Sequence, residues 1–216
     1  MRQLLKVQNF TVSQDGYGAG EGQTLERPFG HVSPVDLMSW FFPTATFARN
    51  TGNPEATGSR GLDDMFARDF TNNIGAEIMG RNKFGPQRGP WQDEDWKGWW
   101  GNVPPFHTPV FVLTHHPRPS FTLADTTFHF LDATPEEALA AAREAANGKD
   151  VRLGGGVATV REFLDAGLVD ALHVVVAPID LGRGERLWKS PADLLDRYQH
   201  ESITTSSGAT HHLFWR

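Results

Sequence analysis

Short apolar runs bounded by turn residues predict the strands of this chain. They are Lys6–Val12, Ile74–Met79, Pro109–Leu113, Phe128–Leu131, Val151–Leu153 and Leu172–Ala177. Two more runs, about Ser202–Thr205 and Thr210–Trp215, are separated by a short polar turn and predict an antiparallel hairpin. Helical patterns stand between several of the earlier strands. This alternation predicts an α/β fold with a mixed, mostly parallel central sheet.

Helix signals are clearest in the second half of the chain. Thr134-Pro135-Glu136-Glu137 is a capping box, and it opens an alanine-rich helix over Pro135–Ala146. Val157–Ala166 has its apolar residues on one face and ends before Gly167. With the strands on either side, this second helix predicts a βαβ unit.

The first half holds two further helix candidates and two long polar stretches. Ser33-Pro34-Val35-Asp36 is a helix start, and Asp63–Asn72 is a second helix. Arg49–Gly61 between them predicts a surface insertion. Gly85–Thr108 is a long loop with four prolines and four tryptophans, and so many indoles argue against disorder. This tryptophan loop either stacks on a sugar or base or anchors itself to the protein surface.

Composition excludes several classes of protein. A net charge of −6 over 216 residues lacks the basic excess of a nucleic-acid-binding protein. No apolar stretch reaches the roughly 18 residues of a membrane helix, and that of Met1–Phe10 is too short for a signal peptide. The absence of cysteine excludes disulfides and thiolate metal sites, and the nine histidines show no metal spacing. We therefore expect a single cytoplasmic domain over residues 1–216, without a metal.

Three glycines between a strand and a helix are the strongest chemical signal. Gly154, Gly155 and Gly156 carry no side chains, so that a phosphate could approach the backbone and the N–H groups of Val157–Thr159. Ala158 lies within that first turn. The alternative is a tight turn with close helix packing, because a short glycine motif has many false matches.

Two other predicted strand ends carry groups that suit phosphate. Gly80-Arg81-Asn82 combines a glycine turn with a guanidinium group and an amide. Thr114, His115 and Arg118 follow the Val110–Leu113 strand without an acid among them. Because an acid at the adenosine ribose selects NAD while Arg or His accommodates a 2′-phosphate, we expect NADP(H). For the histidines an exposed polar turn is the alternative.

Asp36 is the candidate proton donor. It stands in the first turn of an apolar helix near the end of the N-terminal strand. Burial against a cofactor ring would raise its pKa and suit it to that task. An acid at this position also simply complements the helix dipole, so both interpretations stay open.

The ordered set of motifs resembles the dihydrofolate reductase superfamily. Within it, the chain is similar to the reductase domain of the bifunctional riboflavin-biosynthesis deaminase-reductase. The matching segments are Ser13-Gln14-Asp15-Gly16, Ile78-Met79-Gly80-Arg81-Asn82, Val110–Thr114, Val151–Gly156 and Leu172–Pro178 with Leu181–Leu187. They occur in family order over nearly the whole chain. Without cysteine, the described sequence cannot contain the deaminase zinc signature.

The resemblance implies a central sheet of about eight strands that binds NADPH across its strand ends, and a homodimer. It implies that residues 80–82 and 154–159 hold the cofactor phosphates and that Thr114 and His115 lie at the adenosine end. Pro34-Val35-Asp36-Leu37 matches the context in which dihydrofolate reductases carry an acid, which supports a catalytic Asp36. We also expect Asp15, Gly16 and Trp40 to contact the substrate.

These observations predict an NADPH-dependent reductase. A hydride would pass to a C=N or C=O bond of a small heterocycle, either ribosylaminopyrimidine-like or pterin-like. The alternatives are a catalytically silent NADP(H)- or nucleotide-binding protein on the same fold, or an anion-binding module unrelated to NADP.

Overall fold

The computed structural model describes residues 2–50 and 57–216. Its main sheet has nine strands: β1 Leu5–Ser13, β3 Ile74–Gly80, β4 Val110–Leu113, β5 Phe121–Leu123, β6 Thr126–Leu131, β7 Asp150–Leu153, β8 Ala171–Ala177, β10 Gln199–Thr204 and β11 Thr210–Trp215. Their order in the sheet is β10-β11-β8-β1-β7-β3-β4-β6-β5. Two short strands, β2 Tyr17–Ala19 and β9 Glu185–Arg186, pair separately.

The central part of the sheet is parallel. β7 pairs in parallel with β1 and β3, and β4 pairs in parallel with β3 and β6. The ends are antiparallel, with β5 against β6 at one edge and β10, β11 and β8 at the other. The predicted fold class is therefore confirmed, with nine strands in place of about eight. The additional short strand β5 lacked a sequence signal because Phe-Thr-Leu is too short to show a period.

Six α-helices and two short 3₁₀ turns complete the described chain. The helices are α1 Pro34–Leu37, α2 Ala45–Asn50, α3 Leu62–Arg68, α4 Arg81–Phe84, α5 Pro135–Ala145 and α6 Val157–Asp165. The 3₁₀ turns are Asp69–Thr71 and Pro191–Leu194. At α5 both hydrogen bonds of the predicted capping box are present, between Thr134 and Glu137. Sequence did not predict α2 or α4, and much of the predicted Arg49–Gly61 insertion lies outside the described residues.

The chain divides into two compact units. The first comprises residues 1–7, 24–28 and 73–170, and the second comprises residues 8–23, 29–72 and 171–216. A single domain over residues 1–216 stays a prediction.

The core of the first unit is aromatic. Phe84, Phe106, Phe128 and Phe130 are buried with Met79, Val110 and Val112, and indoles of the tryptophan loop pack against them. Phe84 is fully buried, and its ring stands edge-on to Phe128 and Phe130. Burial of each such ring contributes roughly 1.5–3 kcal/mol to stability.

The second unit encloses a chain of polar groups in its core. The backbone N–H of Asn9 donates to Nδ1 of His173 at 3.3 Å, and Nε2 of His173 lies 2.9 Å from Nδ1 of His211. Nε2 of His211 lies 2.8 Å from Oδ1 of Asp63. Because Asn9 can only donate, the hydrogen bonds run in one direction: His173 donates to His211, which donates to Asp63.

Candidate functional site

Gly154–Gly156, which we call the glycine turn, joins β7 to α6 and is hydrogen-bonded to the neighbouring strand β3. The N–H of Gly154 donates to the carbonyl of Ile78 at 2.8 Å, and the N–H of Gly80 donates to the carbonyl of Gly155 at 2.7 Å. The peptide bond between Gly155 and Gly156 is cis. Two of the predicted phosphate-binding segments, residues 80–82 and 154–156, are therefore brought together in the first unit.

Gly154 and Gly80 are required by the packing of the protein itself. A Cβ at Gly154 would lie 2.2 Å from Oε1 of Glu77, and a Cβ at Gly80 would lie 2.1 Å from Oγ1 of Thr159. Real Cβ atoms do not approach so closely, so neither glycine can be replaced without displacing a neighbour. For these two positions the structure supports the close-packing interpretation.

Gly156 differs from the other two positions. Within residues 2–50 and 57–216, nothing lies within 4 Å of a Cβ built on Gly156. Gly156 is the N-cap of α6, and no described side chain caps the first-turn N–H groups. Val157 and Thr159 turn their side chains into the protein while Ala158 is exposed. An open backbone and uncapped N–H groups are the arrangement that an anion needs.

Three charged side chains, two buried and one half-buried, lie against the glycine turn. Oε2 of Glu77 lies 2.8 Å from Nη2 of Arg152, and both side chains are buried. Lys83, in the short helix α4, donates to the carbonyl of Gly154. Its Nζ lies 3.9 Å from Oε1 of Glu77. The sequence carries no local signal for these three residues, because charges from separate strands and a helix meet only in the folded protein.

Arg81 and Arg118 meet on one indole ring. The guanidinium carbon of Arg81 lies 3.8 Å from the centre of the Trp91 ring, and that of Arg118 lies 4.1 Å from it. Arg81 donates to the carbonyl of Gly89, and Arg118 donates to the carbonyls of Glu94 and Trp96. The tryptophan loop therefore contacts both of the arginines assigned to the cofactor.

Both guanidinium groups retain unused donors. Among the described residues, Nε and Nη2 of Arg81 and Nε of Arg118 have no hydrogen-bond partner. Burial lowers the pKa of both groups, and the charge of Arg81 lowers the pKa of Arg118 further. These N–H groups are buried, so a phosphate could accept charge-assisted hydrogen bonds from them only once the side chains that cover them move aside.

The end of β4 is more acidic than the sequence indicated. Thr114 is buried, and its Oγ1 accepts from the N–H of His116. His115 is exposed, and its Nδ1 lies 2.9 Å from Oδ1 of Asp132, which follows the adjacent strand β6. The segment itself carries no acid, but strand pairing brings the Asp132 carboxylate to the imidazole of His115.

Indoles anchor the tryptophan loop to its own unit. Nε1 of Trp99 donates to the carbonyl of Lys83 at 2.9 Å, and Nε1 of Trp96 donates to that of Phe84 at 3.0 Å. These carbonyls belong to the last residues of α4, which a helix leaves without an internal partner. Nε1 of Trp91 donates to the carbonyl of His116 at 2.6 Å. These contacts support the anchoring alternative.

Asp36 lies in the second unit with an exposed side chain. It stands in the single turn α1, after Ser33, whose side chain makes no cap hydrogen bond within the described chain. The neighbouring Leu37 is fully buried, so the helix directs its apolar side into the core and leaves Asp36 in solvent. Its role as a proton donor stays a prediction.

The expected substrate contacts in the second unit are held by their surroundings. The carboxylate of Asp15 accepts from Ser13 and from the N–H groups of Leu181 and Gly182, at 3.0 and 2.7 Å for the latter two. These hydrogen bonds outweigh desolvation and lower the pKa of Asp15. They connect the loop after β1 to the loop around Leu181 and Gly182. Contact of Asp15 with substrate stays a prediction.

Gly16 and Trp40 are likewise held by the packing of the second unit. Gly16 has φ +87°, and a Cβ on it would lie 2.2 Å from the carbonyl oxygen of Trp188. Trp40 is 1% exposed, and its Nε1 donates to Thr11 at 2.9 Å. Substrate contact by these two residues stays a prediction.

Residues 2–50 and 57–216 hold no group of three or more His, Asp or Glu side chains placed to bind a metal. None of their helices is both long enough and apolar enough to cross a bilayer.

Comparison with known proteins identifies the family. The RibD C-terminal domain family matches residues 7–210. A candidate riboflavin biosynthesis protein from Shewanella sp. PV-4 aligns over 100% of this chain and 99% of its own, with TM-score 0.56 and 19% identity. A pyrimidine reductase-like protein from Corynebacterium diphtheriae aligns over 99% and 91%, with TM-score 0.51 and 15% identity.

At these identities, the two solved structures establish the fold alone, and they agree with the dihydrofolate reductase-like architecture that the motifs implied. Curated proteins gave no match. The family match spans nearly the whole sequence and includes most of β1, the end of β3 and the glycine turn between β7 and α6. The chain belongs to the RibD C-terminal domain family, a family of reductases of riboflavin biosynthesis.

Proposed function

We propose that the protein is an NADPH-dependent reductase that acts on a C=N or C=O bond of a small heterocycle. The observation that carries the proposal is the glycine turn. Gly156 is open, the N-terminal N–H groups of α6 are uncapped within the described chain, and the turn is hydrogen-bonded to Gly80 at the end of β3. Family membership supports the choice of reductase chemistry.

The residues present fit such a cofactor. First-turn N–H groups of α6 would hold the diphosphate, since the helix dipole favours negative charge there. The guanidinium groups of Arg81 and Arg118 would hold a further phosphate, which supports NADPH over NADH. Their unpartnered N–H groups are buried, so the side chains that cover them would move aside on binding. Thr114 and His115 would lie at the adenosine end, where the Asp132 carboxylate beside His115 opposes that preference. When bound, NADPH supplies the hydride.

The protein's own contribution is orientation and a proton. Rigid anchoring of the turn through Ile78 and Gly80 would fix one end of the cofactor and so favour a productive geometry. We propose that Asp36, or a water that it orients, delivers the proton to the reduced bond. Gly16, Trp40 and Asp15 would line the substrate, and Asn82 would support the phosphates beside Arg81. A homodimer completes the proposal.

NADPH fluorescence titration tests the cofactor, and an oxidation assay over a panel of pyrimidine and pterin heterocycles tests the reaction. Binding at micromolar concentration with turnover of one heterocycle is the expected result. Binding without turnover of any heterocycle would favour the silent nucleotide-binding alternative. Absence of NADPH binding would overturn the proposal.

A further inference from the structure

Lys83 connects helix α4 to the glycine turn. It is the third residue of α4, and its ammonium group donates to the carbonyl of Gly154. A Cβ on Gly154 would lie 2.9 Å from Nζ of Lys83. The ammonium group of Lys83 therefore occupies space that a side chain at residue 154 would need. All of these groups belong to the first compact unit.

The positive charge of Lys83 is incompletely neutralised. Its nearest carboxylate, Glu77, is 3.9 Å away and is already bound to Arg152 at 2.8 Å. Two cations therefore share one carboxylate beneath the turn. The Lys83 side chain is 29% exposed, while its ammonium group is turned to the carbonyl of Gly154 and is desolvated there.

We propose that Lys83 is a positioning residue of the cofactor site, which holds the carbonyl of Gly154 and places an uncompensated positive charge beneath the anion-binding turn. The inference rests on the proposed function and deepens it. It gives α4 a second task besides presenting Arg81. It also explains why a buried carboxylate occurs so near a site for anions: Glu77 keeps both cations in place while cancelling only one charge.

The same charge makes binding depend on pH. Desolvation lowers the pKa of Lys83 to about 8; Glu77 on β3 opposes this shift, and Arg152 on β7 adds to it. These are the charged groups that influence Lys83 within the described chain; Arg81, on its own helix, is stacked on Trp91. As the pH rises through about 8, Lys83 loses its proton and the net positive charge beneath the turn disappears. Affinity for an anion should fall over the same interval.

The experiment is NADPH fluorescence titration from about pH 7 to about pH 9.5. Wild-type protein should lose about tenfold in affinity over this range. Lys83→Met should bind about tenfold more weakly at pH 7 and show a flat profile, because it has no charge to lose. Lys83→Arg should bind as wild type does at pH 7 and keep its affinity at high pH, because arginine stays protonated. Lys149→Met, an exposed lysine of the same unit, is the matched control and should follow wild type.

Three outcomes would overturn the inference. Wild-type affinity and pH profile in Lys83→Met would remove Lys83 from the site and leave the proposed function standing. A profile of Lys83→Arg that still falls in parallel with wild type would show that another group titrates; this comparison decides the matter even if Lys83→Met fails to fold. Absence of NADPH binding by wild-type protein would defeat both the inference and the proposed function.

Discussion

Gly156→Ala is expected to weaken NADPH binding while leaving the fold intact. The backbone at Gly156 has φ −74° and ψ −165°, which alanine adopts without strain. Its Cβ would meet no described atom within 4 Å. The added methyl group would occupy the space through which a diphosphate must approach the N–H groups of α6.

The expected effects of Gly156→Ala on stability and on NADPH binding differ in size. A substitution that touches nothing changes the free energy of unfolding by about 0.5 kcal/mol or less. Loss of one hydrogen bond to a charged phosphate costs about 1.5–3 kcal/mol of binding free energy, which is a factor of roughly 10–150 in the Kd. Gly154→Ala is the matched control. Its Cβ would lie 2.2 Å from Glu77, so it should destabilise the protein by about 1–3 kcal/mol.

Urea denaturation measures the free energy of unfolding, and NADPH fluorescence titration measures the Kd. We expect Gly156→Ala to unfold at the wild-type urea concentration with a much weaker Kd, and Gly154→Ala to unfold earlier. Wild-type affinity in a folded Gly156→Ala protein would refute the assignment of the open turn to the cofactor. An equal loss of stability in both variants would refute the distinction between the two glycines.

Three further predictions concern other parts of the protein. Asp36→Asn should reduce turnover steeply at neutral pH while the Kd for NADPH stays constant; unchanged turnover would exclude the proton-donor role. Arg81→Ala should weaken NADPH more than NADH in parallel titrations, because a guanidinium group binds the additional phosphate; equal losses would contradict this. Burial lowers the pKa of His173 to about 3 and that of His212 to about 4. On acidification, the unfolded chain therefore binds protons at these histidines at a higher pH than the folded chain does. Stability present above about pH 6.5 should therefore decline on acidification, by about 2 kcal/mol at pH 5 for His173 alone and less for His212. Urea titrations with no loss between those pH values would show that these histidines are not buried in neutral form.

Local chemistry made several elements predictable. The capping box at Thr134 and Glu137 and the apolar face of Val157–Ala166 fixed α5 and α6 to within a residue. The turns flanking the strands fixed most of the sheet. Helix α4 escaped prediction because it is a single turn whose terminal carbonyls are satisfied by Trp96 and Trp99, from a loop that carries no secondary-structure signal.

The candidate site residues were likewise predictable only where their signal is local in the sequence. The glycines between β7 and α6 were visible in the sequence because a run of three is a local feature. Their separate reasons were not: Gly154 is required by the carboxylate of Glu77, which lies on another strand, whereas Gly156 is open. Asp132 beside His115 was missed because the two residues belong to strands paired in space and separated in the chain.

The sequence by itself determined most of the strands and the two longer helices, and it predicted which strand ends carry groups that suit an anion, since each of these depends on residues within one turn or one alternation. Tertiary structure decided which charges meet. Lys83, Glu77 and Arg152 come from three elements and form one cluster, and Arg81 and Arg118 converge on Trp91. Electrostatic interactions act through space and depend on burial, so their partners are set by strand order and packing, which no local pattern records.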